Sequence, residues 1–225
     1  MDFKLSLIIP TYQKFSFLKE TIAELKKNFP QDEIIVIDDG SSDETYKIQE
    51  IFAGQIKYLK NQKNQGKGES LRRGFKEASG DFLIFTDDDL PYGIESIVLI
   101  LEELKKGEKI VIGTRGKFYN DTFYKRILRP FLYLIIRVLL GLKYVDTQCG
   151  IKGFQKEIGK RLFDLSFSKG FAIDVEILYL ARKLHYPVKT IKVIQKQIAK
   201  STFKMKGIIK MFLEILKIKL HSYKI

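Results

Sequence analysis

The sequence predicts an α/β fold built on a mostly parallel sheet with helices on both faces. Three observations predict it. Apolar runs of strand length alternate with helix-length segments from residue 5 to residue 113, the spacing of repeated strand–helix units. Acidic or glycine-bearing turns follow several of these runs directly, and ligands of open α/β sheets bind beyond the carboxyl ends of strands. With 45% hydrophobic residues in 225, the chain can bury the core of one ordinary domain.

Taken in order, residues 5–9 (LSLII) form an apolar run ended by Pro10, as a buried strand would. Residues 15–28 read as a helix and 33–38 (EIIVID) as a second strand. A helix over 42–52 follows, with Ser41 and Ser42 placed to cap it and Asp43 and Glu44 favouring its positive end. A strand at 56–60, a helix at 68–79 after a glycine-rich loop, a strand at 81–86 (DFLIFT), a helix at 93–106 and a strand at 109–113 complete the pattern. Neither an internal repeat nor a low-complexity linker interrupts it. Residues 1–200 are therefore read as one domain and 201–225 as a C-terminal basic amphipathic helix.

The net charge is +13, from 40 basic and 27 acidic residues, and it is unevenly spread. Residues 116–143 hold six basic residues and one acidic, and residues 189–225 hold ten and one. A near-neutral body with two basic segments suggests a surface that meets polyanions. The first segment contains an amphipathic insertion at about 120–143, in which Arg126, Arg129, Tyr133 and Arg137 share one helix face. Over 203–220, Lys206, Lys210, Glu214 and Lys217 line one face, and Ile208, Ile209, Phe212, Ile215 and Leu216 line another. Such helices either pack on a core with solvated lysines or lie in a membrane interface. Two of them carrying the excess charge point to the membrane. Nucleic acid is excluded as a partner, because the basic segments are rich in Leu and Ile rather than in stacking aromatics. The single cysteine, Cys149, allows no internal disulfide and is expected to be a small buried hydrophobe. No signal-peptide pattern opens the sequence, and no run reaches the roughly 18 apolar residues of a transmembrane helix. The expected location is the cytoplasmic face of a membrane, peripherally attached, with room for a membrane-protein partner or a second copy of the chain.

Three turns carry chemistry. Thr86-Asp87-Asp88-Asp89-Leu90 comes straight after a strand. Clustered carboxylates repel one another unless a cation compensates them, and hard oxygen ligands suit Mg²⁺ or Mn²⁺ shared with substrate phosphates. Alternation puts Asp87 and Asp89 on one side if the chain stays extended. Asp38-Asp39 ends another strand, where carboxylates can accept hydrogen bonds from a nucleoside. Asn64-Gln65-Gly66-Lys67-Gly68 opens a helix with Arg72 and Arg73 just inside, a setting that attracts phosphate. It lacks the spacing of a Walker A loop.

Pro10-Thr11-Tyr12, VIDDGSSDET at 36–45, NQGKGESLRRGF at 64–75 and FTDDDLP at 85–91 occur in an order that resembles family 2 glycosyltransferases of the GT-A, Rossmann-like fold. DTQCGIK at 146–152 and GFAIDVE at 170–176 are similar to motifs of that family's dolichyl- or polyprenyl-phosphate sugar synthases, and closer to the glucosyl than to the mannosyl branch. The resemblance covers roughly residues 5–195. It implies that Asp87 and Asp89 bind a divalent metal, Mg²⁺ or Mn²⁺, and that Asp38 and Asp39 contact the nucleoside. It implies further that Pro10 and Tyr12 wall the base, that Lys67 and Asp88 lie near the donor, and that Arg115 lies near the phosphates. Arg126, Arg129 and Arg137 fall where the family holds the lipid phosphate. The implied reaction moves a hexose, with inversion, from a nucleotide sugar to a polyprenyl or dolichyl phosphate at a membrane surface. UDP-glucose is the favoured donor and GDP-mannose the other. The rival within the family is transfer to a glycan or other hydroxyl acceptor. Asp174 is the candidate catalytic base if one is needed, or with Glu176 orients the acceptor-gripping arginines. The sequence departs from the family in Gln13-Lys14, where Asn-Glu is usual, in Asp88, where Ala is frequent, and in lacking Trp.

Overall fold

The computed structural model describes residues 3–115, 133–144, 146–196 and 205–224. Arg126 and Arg129, with the first part of the predicted insertion and residues 197–204, lie outside the described residues. A seven-stranded sheet has the order β3-β2-β1-β4-β6-β5-β7. Its strands are β1 (Leu5–Thr11), β2 (Glu33–Asp38), β3 (Lys57–Lys60), β4 (Phe82–Thr86), β5 (Ile110–Arg115), β6 (Ile151–Gln155) and β7 (Val188–Val193). All are parallel except β6, which runs antiparallel between β4 and β5. The helices are α1 (Phe15–Asn28), α2 (Ile48–Ile51), α3 (Lys67–Glu77), α4 (Gly93–Lys105), a helix described over 133–140 (α5), α6 (Lys156–Leu165), α7 (Ile173–Lys183) and α8 (Met205–Leu220).

Alternation along each strand feeds two cores. Ile8, Ile35, Ile37, Leu83 and Phe85 face α3, α6 and α7, where Phe75 stacks on Phe163 at 3.7 Å and meets Phe154 edge-on at 5.4 Å. Leu7, Ile9, Ile34, Val36 and Ile84 face α1 and α4. The carboxyl ends of β1, β2 and β4 thus open side by side at one edge, with Asp38, Thr11 and Thr86 as their last residues.

Three local expectations change. The helix expected over 42–52 is a 3₁₀ turn at Glu44–Lys47 followed by α2. Asp43 is its cap, taking the N–H of Thr45 at 3.1 Å. The hydroxyls of Ser41 and Ser42 instead accept from Gln13 N and Nε2 at 2.9 and 3.0 Å. That also gives Gln13 its role: it stitches the loop after β1 to the loop after β2. Strand β6 had no sequence expectation, since a lysine and a glycine interrupt its apolar residues. Finally, α8 buries Met211, Ile215 and Ile218 in the α7 core and exposes Leu213 and Leu220, so Ile215 belongs to the core rather than to an outward face. No helix among the described residues is long and apolar enough to cross a membrane.

Candidate active site

The acidic turn closes β4. Asp87 still follows the strand's alternation and points to the α3 and α7 side, where it meets Lys67. Asp88 points to the other side, where its Oδ2 accepts from Thr11 Oγ1 at 2.7 Å and its carbonyl from Thr21 Oγ1 at 3.0 Å. The extended geometry required to put Asp87 and Asp89 on one side by alternation does not persist. The chain turns at Asp88-Asp89, with Leu90 N donating to Asp87 O at 3.2 Å and Leu90 at a φ of 43°. The three carboxyls crowd. Burial, then Asp87 and Asp89, push the Asp88 carboxyl up to about 6 despite its bond from Thr11. Burial and Asp87 likewise raise Asp89.

Lys67 is the first residue of α3 and its ammonium lies between two carboxylates, 2.9 Å from Asp87 Oδ1 and 3.3 Å from Asp174 Oδ2. Burial disfavours its charge, but Asp174 and then Asp87 outweigh that and raise it above its usual value. Asp174, in the first turn of α7, also accepts from the fully buried Lys152, whose Nζ donates in addition to Cys149 O at 2.7 Å. Burial alone would push Asp174 up; Lys152 and Lys67 overcome it and hold the carboxyl below its usual range. Glu176 does not meet an arginine at its assigned bonds. It accepts from the backbone N–H groups of Phe167 and Ser168 and from the Tyr223 hydroxyl, at 3.0, 2.8 and 2.8 Å.

The loop before α3 is tied down from both sides. Asp39, at the end of β2, accepts from Gln65 N and Gly66 N at 2.9 and 2.8 Å and from Asn61 Nδ2 at 2.9 Å. On the other side the Gly68 N–H donates to Lys169 O at 2.7 Å, and a Cβ on Gly68 would stand 2.1 Å from Ser168 O, so only glycine permits the approach. Arg72 donates to Ser168 O at 2.8 Å and Arg73 to Lys60 O at 2.8 Å. These arginines brace loops. Asp38 accepts from Ser41 N at 2.8 Å and from Tyr58 Oη at 2.6 Å, and burial together with Asp38 raises the tyrosine hydroxyl. Beside them Pro10 is buried in β1 and Tyr12 is exposed.

The segment 146–152 forms the opposite wall. Asp146 takes Arg115 in a two-pronged pair, Nε–Oδ2 2.7 Å and Nη2–Oδ1 2.8 Å, a geometry that fixes the guanidinium plane. Cys149 is fully buried, as expected, and burial pushes its thiol up to about 11. A Cβ on Gly150 would fall 1.8 Å from Asp87 Oδ2. The glycine therefore leaves the space that the Asp87 carboxylate fills. Gln148 donates to Met211 Sδ of α8. Arg137 is exposed on α5. Asp146, Gly150 and Lys152 lie inside a motif the sequence singled out, yet had no assigned role. No local signal marked Lys152, whose inward position opposite Phe85 is set by the register of β6 on β4.

The donor set fits a divalent cation. Asp87, Asp88, Asp89 and Asp174 against Lys67 and Lys152 leave two formal negative charges, and burial first, with the neighbouring carboxylates after it, raises Asp88 and Asp89. Among the described residues no three ligand-type side chains converge to hold a metal alone. Mg²⁺ is commonly held by one or two carboxylates and completed by substrate phosphate and water.

The family model for glycosyl transferase family 2 matches residues 6–163. The chain is 32% identical to a dolichyl-phosphate beta-glucosyltransferase of Dictyostelium discoideum, over 84% of this chain and 65% of that protein. It is 31% identical to one of Trichomonas vaginalis, over 95% and 72%, and 35% identical to a dolichol-phosphate mannosyltransferase of Pyrococcus furiosus, over 78% and 52%. It thus spans less than two thirds of the Dictyostelium relative's length. The fold matches that of glucosyl-3-phosphoglycerate synthase from Mycobacterium tuberculosis, solved with Mn²⁺, UDP and glucosyl-3-phosphoglycerate: TM-score 0.72, 20% identity, covering 97% of this chain and 79% of that one. This is the GT-A architecture the motif order implied.

Gly150→Ala is expected to displace Asp87 and lower sugar transfer by roughly 100-fold, since misplacement by about 1 Å costs that much, while circular dichroism stays as in the unaltered protein. A variant that turns over at the unaltered rate contradicts the packing of Asp87 on Gly150.

Proposed function

Because the chain belongs to glycosyl transferase family 2, we propose that it moves a hexose from a nucleotide sugar to a polyprenyl or dolichyl phosphate, with UDP-glucose favoured over GDP-mannose as donor. The observation that carries the acceptor class is Asp174. A hydroxyl nucleophile needs a general base within hydrogen-bond reach. Asp174 is buried, paired with two lysines and held below the usual carboxylate range, which makes it a weak base. A phosphomonoester carries about −1.5 to −2 charge at pH 7 and arrives already ionised. The names of the relatives point to the same acceptor.

In this reading Asp87 and Asp89 would hold Mg²⁺ or Mn²⁺, and the ion would supply positive charge to offset the negative charge that develops on the departing nucleoside diphosphate. Lys67 adds fixed positive charge on the same side. Pro10 and Tyr12 wall the base. Asp38 and Asp39 serve the nucleoside side, Asp39 chiefly by holding the Gln65–Gly66 backbone in place. Arg115, fixed by Asp146, lies on the phosphate side. An acceptor phosphate oxygen attacks the anomeric carbon while the bond to the diphosphate oxygen breaks, in one inverting displacement. Arg137, with Arg126 and Arg129, receives the acceptor phosphate. The domain of 1–200 does the chemistry, and α5 with α8 in 201–225 meets the cytoplasmic face of a membrane. Leu134 and Val138 on α5 and Leu213 and Leu220 on α8 are exposed, beside Arg137, Lys217 and Lys219, the mixture of apolar and basic groups an anionic interface attracts.

Incubation with a short polyprenyl phosphate, Mg²⁺ or Mn²⁺ and a panel of labelled nucleotide sugars is expected to put label in the organic phase from one donor only. Asp89→Asn is expected to abolish that transfer and leave the protein folded. Label released only when glycan acceptors are supplied would move the acceptor to a hydroxyl, and transfer by Asp89→Asn at the unaltered rate would remove the metal assignment.

Flotation with anionic vesicles is expected to carry the protein at low salt and to release most of it at about 1 M salt, where the Debye length shrinks to about 3 Å. Failure to float with anionic vesicles at any salt contradicts the membrane reading.

A further inference from the structure

Lys152 is fully buried, comes from the antiparallel strand β6, and has no path to a bound substrate except through other side chains. A lysine is almost never buried unless paired, and each of its bonds has a definite target. One goes to Cys149 O and one to Asp174 Oδ1. The other oxygen of Asp174 faces Lys67 at 3.3 Å, and Lys67 faces Asp87 at 2.9 Å. Four side chains from β6, α7, α3 and the β4 turn therefore alternate in sign along one line, Lys152, Asp174, Lys67, Asp87. The ring of Phe85 lies beneath both lysines, 5.3 Å from Lys152 Nζ and 5.4 Å from Lys67 Nζ, and keeps the two ammonium groups to one apolar floor.

The order of the chain decides what each member does. Lys67 has two carboxylates competing for it. If Asp174 had no second cation, it would be a buried charge with Lys67 as its one partner, and Coulomb attraction in a poorly hydrated site would draw Lys67 inward, away from Asp87. Lys152 supplies that second cation. We propose that Lys152 is a positioning residue for the reaction, acting through Asp174 to hold the Lys67 ammonium outward at Asp87, where it binds the diphosphate of the donor. Asp174 is then the counter-ion that links the two lysines and does not itself remove a proton. This rests on the nucleotide-sugar reading of the site and adds to it the residue that sets where its fixed positive charge stands.

The test is epistasis with Lys67, read first by calorimetric binding of UDP and of GDP in EDTA, which requires neither metal nor acceptor, and then by the rate of sugar transfer. Lys67→Met and Lys152→Met are each expected to weaken binding of the preferred diphosphate at least fivefold and to lower kcat at least tenfold. Added to Lys67→Met, Lys152→Met is expected to change either quantity less than twofold, while lowering the melting temperature as much as it does alone. A purely structural Lys152 would instead lower binding and kcat by the same factor in both backgrounds, which would overturn the proposal. Asp174→Asn keeps the shape and removes the charge that would draw Lys67 inward, so in that background Lys152→Met is expected to change either quantity less than twofold; this double variant leaves no unpaired buried carboxylate and decides the matter if Lys152→Met alone fails to fold, a fivefold or greater loss there overturning the proposal. Unaltered protein that binds neither diphosphate, in EDTA or with Mn²⁺ added, would overturn the donor reading together with this one. Tight binding that the variants leave unchanged would overturn this one alone.

Discussion

The site depends on the compensation of like charge at the carboxyl end of β4. Three consecutive aspartates are placed where the sheet opens, and burial makes their repulsion worse rather than better. Lys67 relieves Asp87 and Thr11 holds Asp88. Each neighbouring element then has a reason to stand where it does. Helix α3 must begin at Lys67 to bring the ammonium in, the 166–170 loop must pass close enough to Gly66 and Gly68 to fix that beginning, and Glu176 must hold the loop through the N–H groups of Phe167 and Ser168. Breaking a buried pair by removing one partner costs about 3–5 kcal/mol, so this arrangement is specified strongly at its buried end.

The 146–152 segment shows how one short stretch serves several ends of the same constraint. Asp146 fixes Arg115, Gly150 yields room to Asp87, and Cys149 and Lys152 bond to one another through backbone and ammonium. Because β6 runs antiparallel to β4, this segment enters the sheet at the carboxyl end of β4 and lies directly against the acidic turn. A parallel strand there would have put its first residues at the far edge. The link from Gln148 to Met211 and from Tyr223 to Glu176 joins the same region to α8, so the element with exposed Leu213 and Leu220 is packed onto the walls of the site.

The parallel strands from β1 to β5 were legible in the sequence because β1, β2, β4 and β5 are largely apolar runs and the turns after them carry Gly, Ser or Asp, whereas β7 (VKTIKV), with lysines in its run, had no sequence expectation. The acidic turn, the Asp38-Asp39 end and the glycine loop were legible for the same reason: their chemistry is written in consecutive residues. What was not legible depends on long-range pairing. The partner of Asp174 could not be read as lysines rather than arginines, since Lys67 and Lys152 are 107 and 22 residues away in sequence. The cap of the 3₁₀ turn is Asp43, directly before it, while the Ser41 hydroxyl is turned to Gln13, 28 positions upstream. Strand β6 escaped because its one charged side chain is satisfied by tertiary contacts that local pattern does not contain.

If the acidic turn is a divalent-cation site, Asp87 and Asp89 act together in holding the ion. The most direct measurement is a Mn²⁺ titration followed by electron paramagnetic resonance, on the unaltered protein and on Asp87→Asn and Asp89→Asn, with and without UDP. One Mn²⁺ per chain is expected in the unaltered protein, bound more tightly with UDP present, with loss of that binding in both variants. Mn²⁺ bound equally by the unaltered protein and both variants, or by none of them even with UDP, would contradict it.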